Sequence, residues 1–274
     1  MKTFIKAGLT AFVMGGMATS AIAAGECAAG KTLQDGVLTI ATGNPAYFPW
    51  VIDDDPASGK GFEAAVALEI AKRMGFEGDA VQWVRTTFDQ AIQPGAKDYD
   101  FNLQQYSITE DRDKFIDFST PYYTAAQSVV VRAPTKEAGA MATIESLKTL
   151  KWGAVESTTA PAMIQELVAP EASMLLYNDV ADSVEALKAN QVDAIMLDLP
   201  SALFTAAVLL DDGVVLGQFS TGGENPDQLG LVFEEGNALR DCANAAIAAM
   251  VDDGTLAAIE ADWLQEATGV PVIK

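Results

Sequence analysis

The sequence predicts an α/β protein of two lobes, with a discontinuous first lobe and a two-strand hinge. Short β-branched runs alternate with amphipathic stretches along the chain, which is typical of largely parallel sheets. A Pro-, Gly- and Ala-containing stretch at residues 133–141 interrupts the alternation, and the same order of elements then begins again. The chain has 274 residues, half of them apolar, so it is long enough for two hydrophobic cores.

The first lobe begins with a predicted strand at residues 37–41 and a helix at 61–74. Apolar residues spaced by four give this helix one buried face, and Gly75 is a typical helix stop. That face comprises Phe62, Val66, Ile70 and Met74. Strands at 81–84 and 100–103, with a helical piece over Phe88–Ile92 between them, complete the first part of the lobe.

The second lobe is predicted from a renewed alternation of strands and helices. A continuous apolar strand at 127–131, together with the stretch at 133–141, is interpreted as the first crossing between lobes, and residues 230–233 as the return. The first lobe then comprises residues 24–125 and 230–274, and the second comprises 126–229. Between the crossings we expect strands at 151–155, 174–177 and 193–197, with helices at 160–168 and 180–189.

The N-terminus has the pattern of a secretory signal peptide over residues 1–23. Lys2 and Lys6 precede an uncharged apolar run at 7–18, and the small residues around Ala23 suit signal peptidase. A membrane anchor is the alternative, but the run is shorter than the ~20 apolar residues that a spanning helix needs. We therefore expect a periplasmic protein with no direct membrane insertion after signal cleavage.

The composition disfavours several classes of function. The formal charge is −21, and cleavage of the signal removes two of the cations, so nucleic acid and anionic membranes are poor partners. The chain contains no histidine, which excludes Ser-His-Asp and Cys-His catalysis and every histidine metal site. We therefore predict a protein that is not an enzyme and requires no cofactor.

The chain has two cysteines, Cys27 and Cys242. Disulfides persist outside the inner membrane, so a bridge between the N-terminal segment and a C-terminal helix is one possibility. Two unpaired thiols, with Cys242 a small apolar residue on a helix face, is the other.

Two candidate ligand-binding loops follow predicted strands of the first lobe, where open α/β sheets bind ligands. Residues 42–50 carry three aromatic side chains, of which Tyr47 is the candidate pocket wall, while others could cap the core. In the loop at 104–112, Arg112 suits a bidentate grip on a carboxylate, and Ser107 could meet an ammonium group. An exposed Arg112 paired with Glu110 or Asp111 is the alternative.

Two further candidate loops follow strands of the second lobe. Thr158 and Thr159 precede a helix whose free amides suit an anion, although Thr159 could serve only as a helix cap. Asp198 ends a strand and could pair with an ammonium group or merely cap a loop. Together these loops offer opposite charges to the two ends of a zwitterion.

Several ordered motifs carry a family resemblance over roughly residues 32–264. They include Gly61-Phe62-Glu63, Ser107-Ile108-Thr109-Glu110-Asp111-Arg112 and Asp253-Gly254-Thr255. By these motifs the chain resembles the polar amino acid binding proteins of bacterial ABC importers. The resemblance implies the type II periplasmic binding protein fold, a small amino acid or derivative as ligand and an inner-membrane ABC permease as partner. A monomer is expected because the transporter must meet both lobes.

The resemblance also implies roles for individual residues. Arg112, with Thr158 and Thr159, would bind the ligand α-carboxylate, Asp198 and Ser107 would hold the α-ammonium, and Tyr47 would stack on the side chain. Some positions depart from the family pattern. Asn44 replaces an acid common in proteins that bind basic ligands, and the large amides Gln104 and Gln105 replace small residues, so both Asn44 and Gln105 are candidate specificity residues.

Two rival functions remain from the sequence. One is an enzyme on the same fold, because some relatives of the family are dehydratases, with Glu63, Glu156 or Asp198 as acid or base. The other is a ligand-binding sensor that acts on a receptor instead of a permease.

Overall fold

The described part of the chain comprises residues 27–221, 226–264 and 269–274. In this computed structural model these residues form two five-stranded sheets with helices packed against them, joined by a two-stranded ribbon. The predicted signal peptide at 1–23 lies outside the described residues.

The first sheet contains both early and late parts of the chain. Its strands are β1 (Leu38–Gly43), β2 (Val81–Thr86), β3 (Phe101–Asn102), β4 (Ile116–Phe118) and β12 (Val232–Glu234). Strand β1 runs parallel to β2 and β3, and β12 runs antiparallel to β3 and β4, so the strand order is β2, β1, β3, β12, β4. Its helices are α1 (Phe62–Arg73), α2 (Phe88–Ile92), α8 (Leu239–Asp252) and α9 (Thr255–Trp263).

Helix α1 supplies much of the first hydrophobic core. Phe62, Val66 and Ile70 have no exposed surface, which confirms the face predicted from their spacing. The backbone amides of Phe62 and Glu63 donate to the carbonyls of Pro49 and Trp50, so the loop after β1 caps the start of α1. A Cβ at Gly61 would lie 2.5 Å from the Trp50 oxygen, so this close approach requires glycine.

The second sheet holds most of the middle of the chain. Its strands are β6 (Gln127–Arg132), β7 (Trp152–Val155), β8 (Leu175–Tyr177), β9 (Ala194–Asp198) and β10 (Gly213–Gln218), in the order β10, β6, β9, β7, β8. Its helices are α3 (Ala133–Glu137), α4 (Ile144–Lys148), α5 (Ala160–Leu167), α6 (Val180–Lys188) and α7 (Leu199–Phe204), the last continued by a π-helical turn at Thr205–Leu209. Strand β7 is parallel to β8 and β9, so their carboxyl ends meet at one edge.

The connection between the sheets differs from the sequence prediction. Strands β5 (Tyr123–Ala125) and β11 (Asp227–Leu229) pair antiparallel to form the ribbon between the lobes. The predicted first crossing was wrong, because the run at 127–131 is interior strand β6, with Val129 to Val131 fully buried, and α3 follows it. The predicted return at 230–233 falls instead in β12 of the first sheet.

The C-terminal segment also departs from the prediction that residues 230–274 belong to the first lobe. Leu264 still packs in the first core, but Ile273 packs in the second core with Trp152. The Ile144 amide donates to the Lys274 carbonyl at 3.0 Å, and Val272 bridges to Gln218 of β10. Residues 269–274 therefore belong to the second lobe, because their apolar side chains complete its core.

Cys27 and Cys242 form a disulfide with a Cα–Cα distance of 5.7 Å. The alternative of two unpaired thiols was wrong. The bridge attaches the start of the described chain to α8, and Cys242 is buried in the first core.

The described helices are short relative to a lipid bilayer. None of them alone has the length and apolar composition to cross a membrane. Helices α8 and α9 satisfy these criteria only as a pair, which is bent by 79° at the break between them.

Candidate functional site

A cavity of about 360 Å³ lies between the two lobes, at the carboxyl ends of β1, β3, β7 and β9. Loops at these ends are where open α/β sheets bind ligands. All eight residues predicted as ligand contacts line this cavity: Asn44, Tyr47, Gln105, Ser107, Arg112, Thr158, Thr159 and Asp198. Their individual roles in ligand binding remain predictions.

Arg112 is held in place by carbonyl oxygens of both lobes. Its Nη1 donates to the Ser107 carbonyl at 2.9 Å and its Nη2 to the Ser157 carbonyl at 3.0 Å. Burial lowers its pKa, but a guanidinium stays charged in proteins. The alternative of an exposed Arg112 paired with Glu110 or Asp111 was wrong, because Arg112 is half-buried and its guanidinium donates to carbonyl oxygens, while Asp111 bonds Lys114 at 2.6 Å. The remaining N–H groups of a guanidinium oriented in this way suit a carboxylate.

Phe88, predicted from the sequence only as part of a helix, also lines the cavity. The Arg112 guanidinium carbon lies 5.4 Å from the centre of its ring, within the range of a cation–π contact. Thr87 caps α2 by accepting from the Gln90 amide, which fixes the start of the helix that carries Phe88. Because α2 follows β2 directly, the strand-end rule applied to 81–84 could have found it.

The two threonines before α5 have different local roles. Thr158 Oγ1 donates to the Val155 carbonyl at 2.8 Å and accepts from the Ala160 amide at 3.2 Å, so it caps the helix start. Thr159 makes no side-chain cap bond, and its hydroxyl instead lies 3.4 Å from Ser107 Oγ in the first lobe. The capping alternative considered for Thr159 thus applies to Thr158.

Asp198 both caps a helix and lines the cavity. One carboxylate oxygen accepts from the Ser201 amide at 2.8 Å at the start of α7. Burial raises its pKa to about 6, and the nearby carboxyl group of Asp227 adds to the shift. A carboxylate with this cost of ionisation would gain from a cationic partner. Asp198 extends from β9 and Arg112 from the loop before β4, so the two opposite charges reach the cavity from different lobes.

The aromatic residues of the loop after β1 divide between cavity and core, as predicted. Tyr47 lines the cavity, and its pKa is raised by burial and by the neighbouring carboxylates of Asp179, Asp182 and Asp54. Trp50 is fully buried against Phe62. Its indole nitrogen donates to Ser201 Oγ of the second lobe at 2.9 Å, and Phe48 stacks on Phe204 with ring centres 4.7 Å apart.

Several acceptor groups that the prediction missed also line the cavity. Asp227, the first residue of ribbon strand β11, accepts a hydrogen bond from Gln127, and Asp89 and Asp179 also line the cavity. Asp179 caps α6 through the Asp182 amide. Helix-start carboxylates such as those of Asp89 and Asp179 are so common in soluble proteins that their positions in the sequence do not indicate a site.

Gln105 is the cavity residue with the least usual backbone. Its φ is +54°, in the left-handed region that non-glycine residues seldom adopt. Its backbone amide donates to the buried carboxyl group of Glu63 at 2.8 Å, and its side-chain amide also donates to Glu63. Glu63 of α1 thus holds both the backbone and the side chain of Gln105 by hydrogen bonds.

Comparisons with known proteins agree with this geometry. Residues 38–266 match the model of the bacterial extracellular solute-binding proteins, family 3. The chain is 28% identical over 260 residues to the L-cystine-binding protein TcyJ of Escherichia coli (strain K12), covering 92% of this chain and 94% of the relative. It is 32% identical over 219 residues to the ABC transporter glutamine-binding protein GlnH of Bacillus subtilis (strain 168), covering 77% of this chain and 76% of the relative.

A solved structure extends the likeness to the fold. The ancestral amino acid-binding protein AncCDT-1, described as a precursor of cyclohexadienyl dehydratase, superposes with a TM-score of 0.67 at 26% identity. The match covers 84% of this chain and 96% of that protein. The predicted two-lobe type II fold and the family resemblance are confirmed. The chain belongs to the bacterial extracellular solute-binding proteins of family 3.

Proposed function

We propose that this protein is the periplasmic solute-binding component of an ABC importer and captures a small zwitterionic ligand, a polar or neutral amino acid. The observation that carries the proposal is the meeting of Arg112 and Asp198 in one cavity between the lobes. A guanidinium and a carboxylate on opposite lobes complement the two charged groups that every α-amino acid shares. The relatives named for cystine and glutamine bind ligands with these same groups.

Individual contacts follow from this arrangement. Arg112 and the hydroxyl of Thr159 would bind the α-carboxylate, with the amides at the start of α5 behind them. Asp198 and the Ser107 hydroxyl would hold the α-ammonium, and Tyr47 and Phe88 would enclose the side chain. The ligand class would therefore be set by the opposite charges of Arg112 and Asp198 and by polar groups such as Asn44, which is exposed.

Ligand capture would proceed by closure of the lobes. Hydrogen-bonding contacts between described residues already join the lobes directly, including Arg112 with the Ser157 carbonyl, Ser107 with Thr159, and Trp50 with Ser201. A ligand that touches both lobes adds contacts that exist only in the closed form, so it shifts the population toward closure. The closed monomer would then present both lobes to an inner-membrane permease.

A thermal-shift screen of the mature protein tests the proposal. The panel comprises the common L-amino acids, L-cystine, and betaine and amide derivatives, and calorimetry measures any hit. A ligand that binds the native state raises the melting temperature once its concentration exceeds Kd. We expect at least one amino acid to bind and to be recovered unchanged. Failure of every zwitterion to raise the melting temperature contradicts an amino-acid ligand, and conversion of a bound compound identifies an enzyme instead.

Replacing Asp198 by Asn should affect stability and binding in opposite directions. Because the folded protein holds the pKa of Asp198 near 6, ionisation destabilises the ligand-free fold as pH rises from the ordinary value of 3.8 through about 6. Asp198→Asn keeps a helix-capping oxygen, so its melting temperature at pH 8 should exceed that of the wild type. Its amino-acid affinity should fall about 10- to 100-fold through loss of a charged partner.

The pH dependence provides the control for this prediction. Wild-type affinity should decrease as pH falls below about 6, where Asp198 takes up a proton, and Asp198→Asn should lack that part of the profile. Calorimetric Kd values at half-unit pH intervals, with parallel melting curves, measure both effects. A variant that binds as tightly as the wild type would remove Asp198 from the ligand contacts.

A further inference from the structure

Glu63 is a buried carboxyl group behind the cavity, and the proposed function gives it no role. It stands in the first turn of α1, is 1% exposed, and does not line the cavity. Its carboxyl oxygens accept from three donors: the backbone amide of Gln105, the side-chain amide of Gln105 and the hydroxyl of Tyr122. A carboxylate surrounded by donors alone fits this environment because it offers only acceptors.

These bonds determine which polar atom Gln105 offers to the cavity. A side-chain amide has one donor end and one acceptor end, and the Nε2 end of Gln105 faces Glu63. Within the described ranges, Gln105 Oε1 has no hydrogen-bond partner. It is not one of the fully buried atoms in this condition, so it keeps some accessible surface. Because Gln105 lines the cavity, Oε1 is the atom it presents to a bound molecule.

We propose that Glu63 is a positioning residue for ligand selectivity, which holds Gln105 so that its side-chain carbonyl accepts from the ligand α-ammonium. The proposal rests on the proposed function in one respect, the presence of an amino acid in the cavity. The left-handed backbone of Gln105 supports it, since two bonds from one carboxylate stabilise a conformation that glutamine seldom adopts. Asp198, the proposed ammonium partner, is close enough for its charge to act on Glu63.

The ionisation of Glu63 provides an independent readout. Burial raises its pKa to about 7, opposed by the bonds from Tyr122 and Gln105, and the charge of Asp198 raises it further. Tyr106 also lies near Glu63. No cation is among the groups that shift this pKa. Protonation puts a hydrogen on one Glu63 oxygen, which then accepts more weakly and itself needs an acceptor that the Gln105 N–H groups do not offer. The orientation of Gln105 is therefore expected to loosen below pH 7.

The first test needs no ligand. In the wild-type protein, the ¹⁵N and ¹H resonances of both Gln105 amides should shift with an inflection near pH 7. Glu63→Gln should abolish this inflection, because glutamine does not titrate and its NH₂ group needs the Gln105 carbonyl as acceptor. Tyr122→Phe should move the inflection to higher pH, since it removes a donor that stabilises the charged form. The proposal would be overturned if the chemical shifts of the Gln105 amides changed neither with pH nor on replacing Glu63 by Gln.

The second test compares ligands with and without the α-ammonium. Calorimetry at pH 8.5 measures L-glutamine, L-arginine and L-cystine, each beside its 2-hydroxy analogue. The preference is the Kd of the 2-hydroxy analogue divided by the Kd of the amino acid. For each amino acid that the wild type binds, we expect Glu63→Gln to lower this ratio about 10-fold. The matched control, Tyr122→Phe, loses one bond at the same carboxylate but none at Gln105, and should change the preference less than about two-fold. Equal losses in both variants would indicate a merely structural carboxyl group.

The two tests separate this inference from the function it extends. If no amino acid binds the wild type, the proposed function fails, and the amide resonances still decide whether Glu63 positions Gln105. If amino acids bind but Glu63→Gln leaves the preference unchanged, the function stands and the positioning role is refuted. Should Glu63→Gln not fold, the pH inflection of Tyr122→Phe decides, and an inflection that does not move contradicts the role of Glu63.

Discussion

Replacing Arg112 by Ala should raise the Kd for the amino acid found by screening about 100-fold or more. Truncating one member of a desolvated, hydrogen-bonded charge pair removes its contact and leaves the ligand carboxylate without a counter-charge. The Ser107 carbonyl of its own lobe already orients Arg112, so less side-chain freedom has to be lost when it meets the ligand. Calorimetry at pH 8 measures the change.

Two variants make this experiment specific. Arg112→Lys keeps the charge but loses the planar pair of donors, and should recover only part of the affinity. Arg240→Ala is the matched control, because Arg240 pairs with Asp117 at 2.7 Å and does not line the cavity. Its Kd should equal that of the wild type. An Arg112→Ala protein that binds normally would show that the ligand carboxylate lies elsewhere.

Removal of the disulfide between Cys27 and Cys242 should produce the largest change in stability. The bridge joins residues 215 positions apart, and disulfides that close long loops typically contribute about 2–4 kcal/mol, in part by constraining the unfolded chain. The variant Cys27→Ala/Cys242→Ala avoids placing a hydroxyl in the first core. Its melting temperature should fall by about 5–10 °C, as measured by circular dichroism or calorimetry.

A reducing agent distinguishes the bridge from the side chains themselves. It should lower the melting temperature of the wild type and leave the double-alanine variant unchanged. Ligand affinity should be retained in both, since neither cysteine lines the cavity. If the reducing agent left the melting temperature of the wild type unchanged, that result would contradict a stabilising bridge.

Some parts of the fold could be predicted from sequence because their signals are local. The four-residue spacing from Phe62 to Ile70 identified the buried face of α1, and the bounds of α2 agree with the prediction. The crossings between the lobes were not predictable in the same way. The buried run at 127–131 has the composition of any interior strand, and only its pairing with β9 and β10 shows which sheet contains it.

The cavity residues show a similar division. Arg112 and Asp198 could be proposed because they carry opposite charges and follow predicted strands of different lobes, where open α/β sheets bind ligands. Phe88 was missed because aromatic residues at helical spacing are ordinary core residues, and its position beside Arg112 depends on the packing of α2 against the loop that carries Arg112. The Glu63–Gln105 contact joins positions 42 residues apart, and no local pattern encodes it.

The return of the C-terminus to the second lobe makes the core of that lobe depend on residues 269–274. Besides the ribbon strands, the backbone links the two cores a third time, from Leu264 in one to Ile273 in the other. Ile273 packs in the second core with Trp152, and none of these last six residues lines the cavity. Removing them would therefore expose apolar surface of the second lobe to water without altering a single ligand contact.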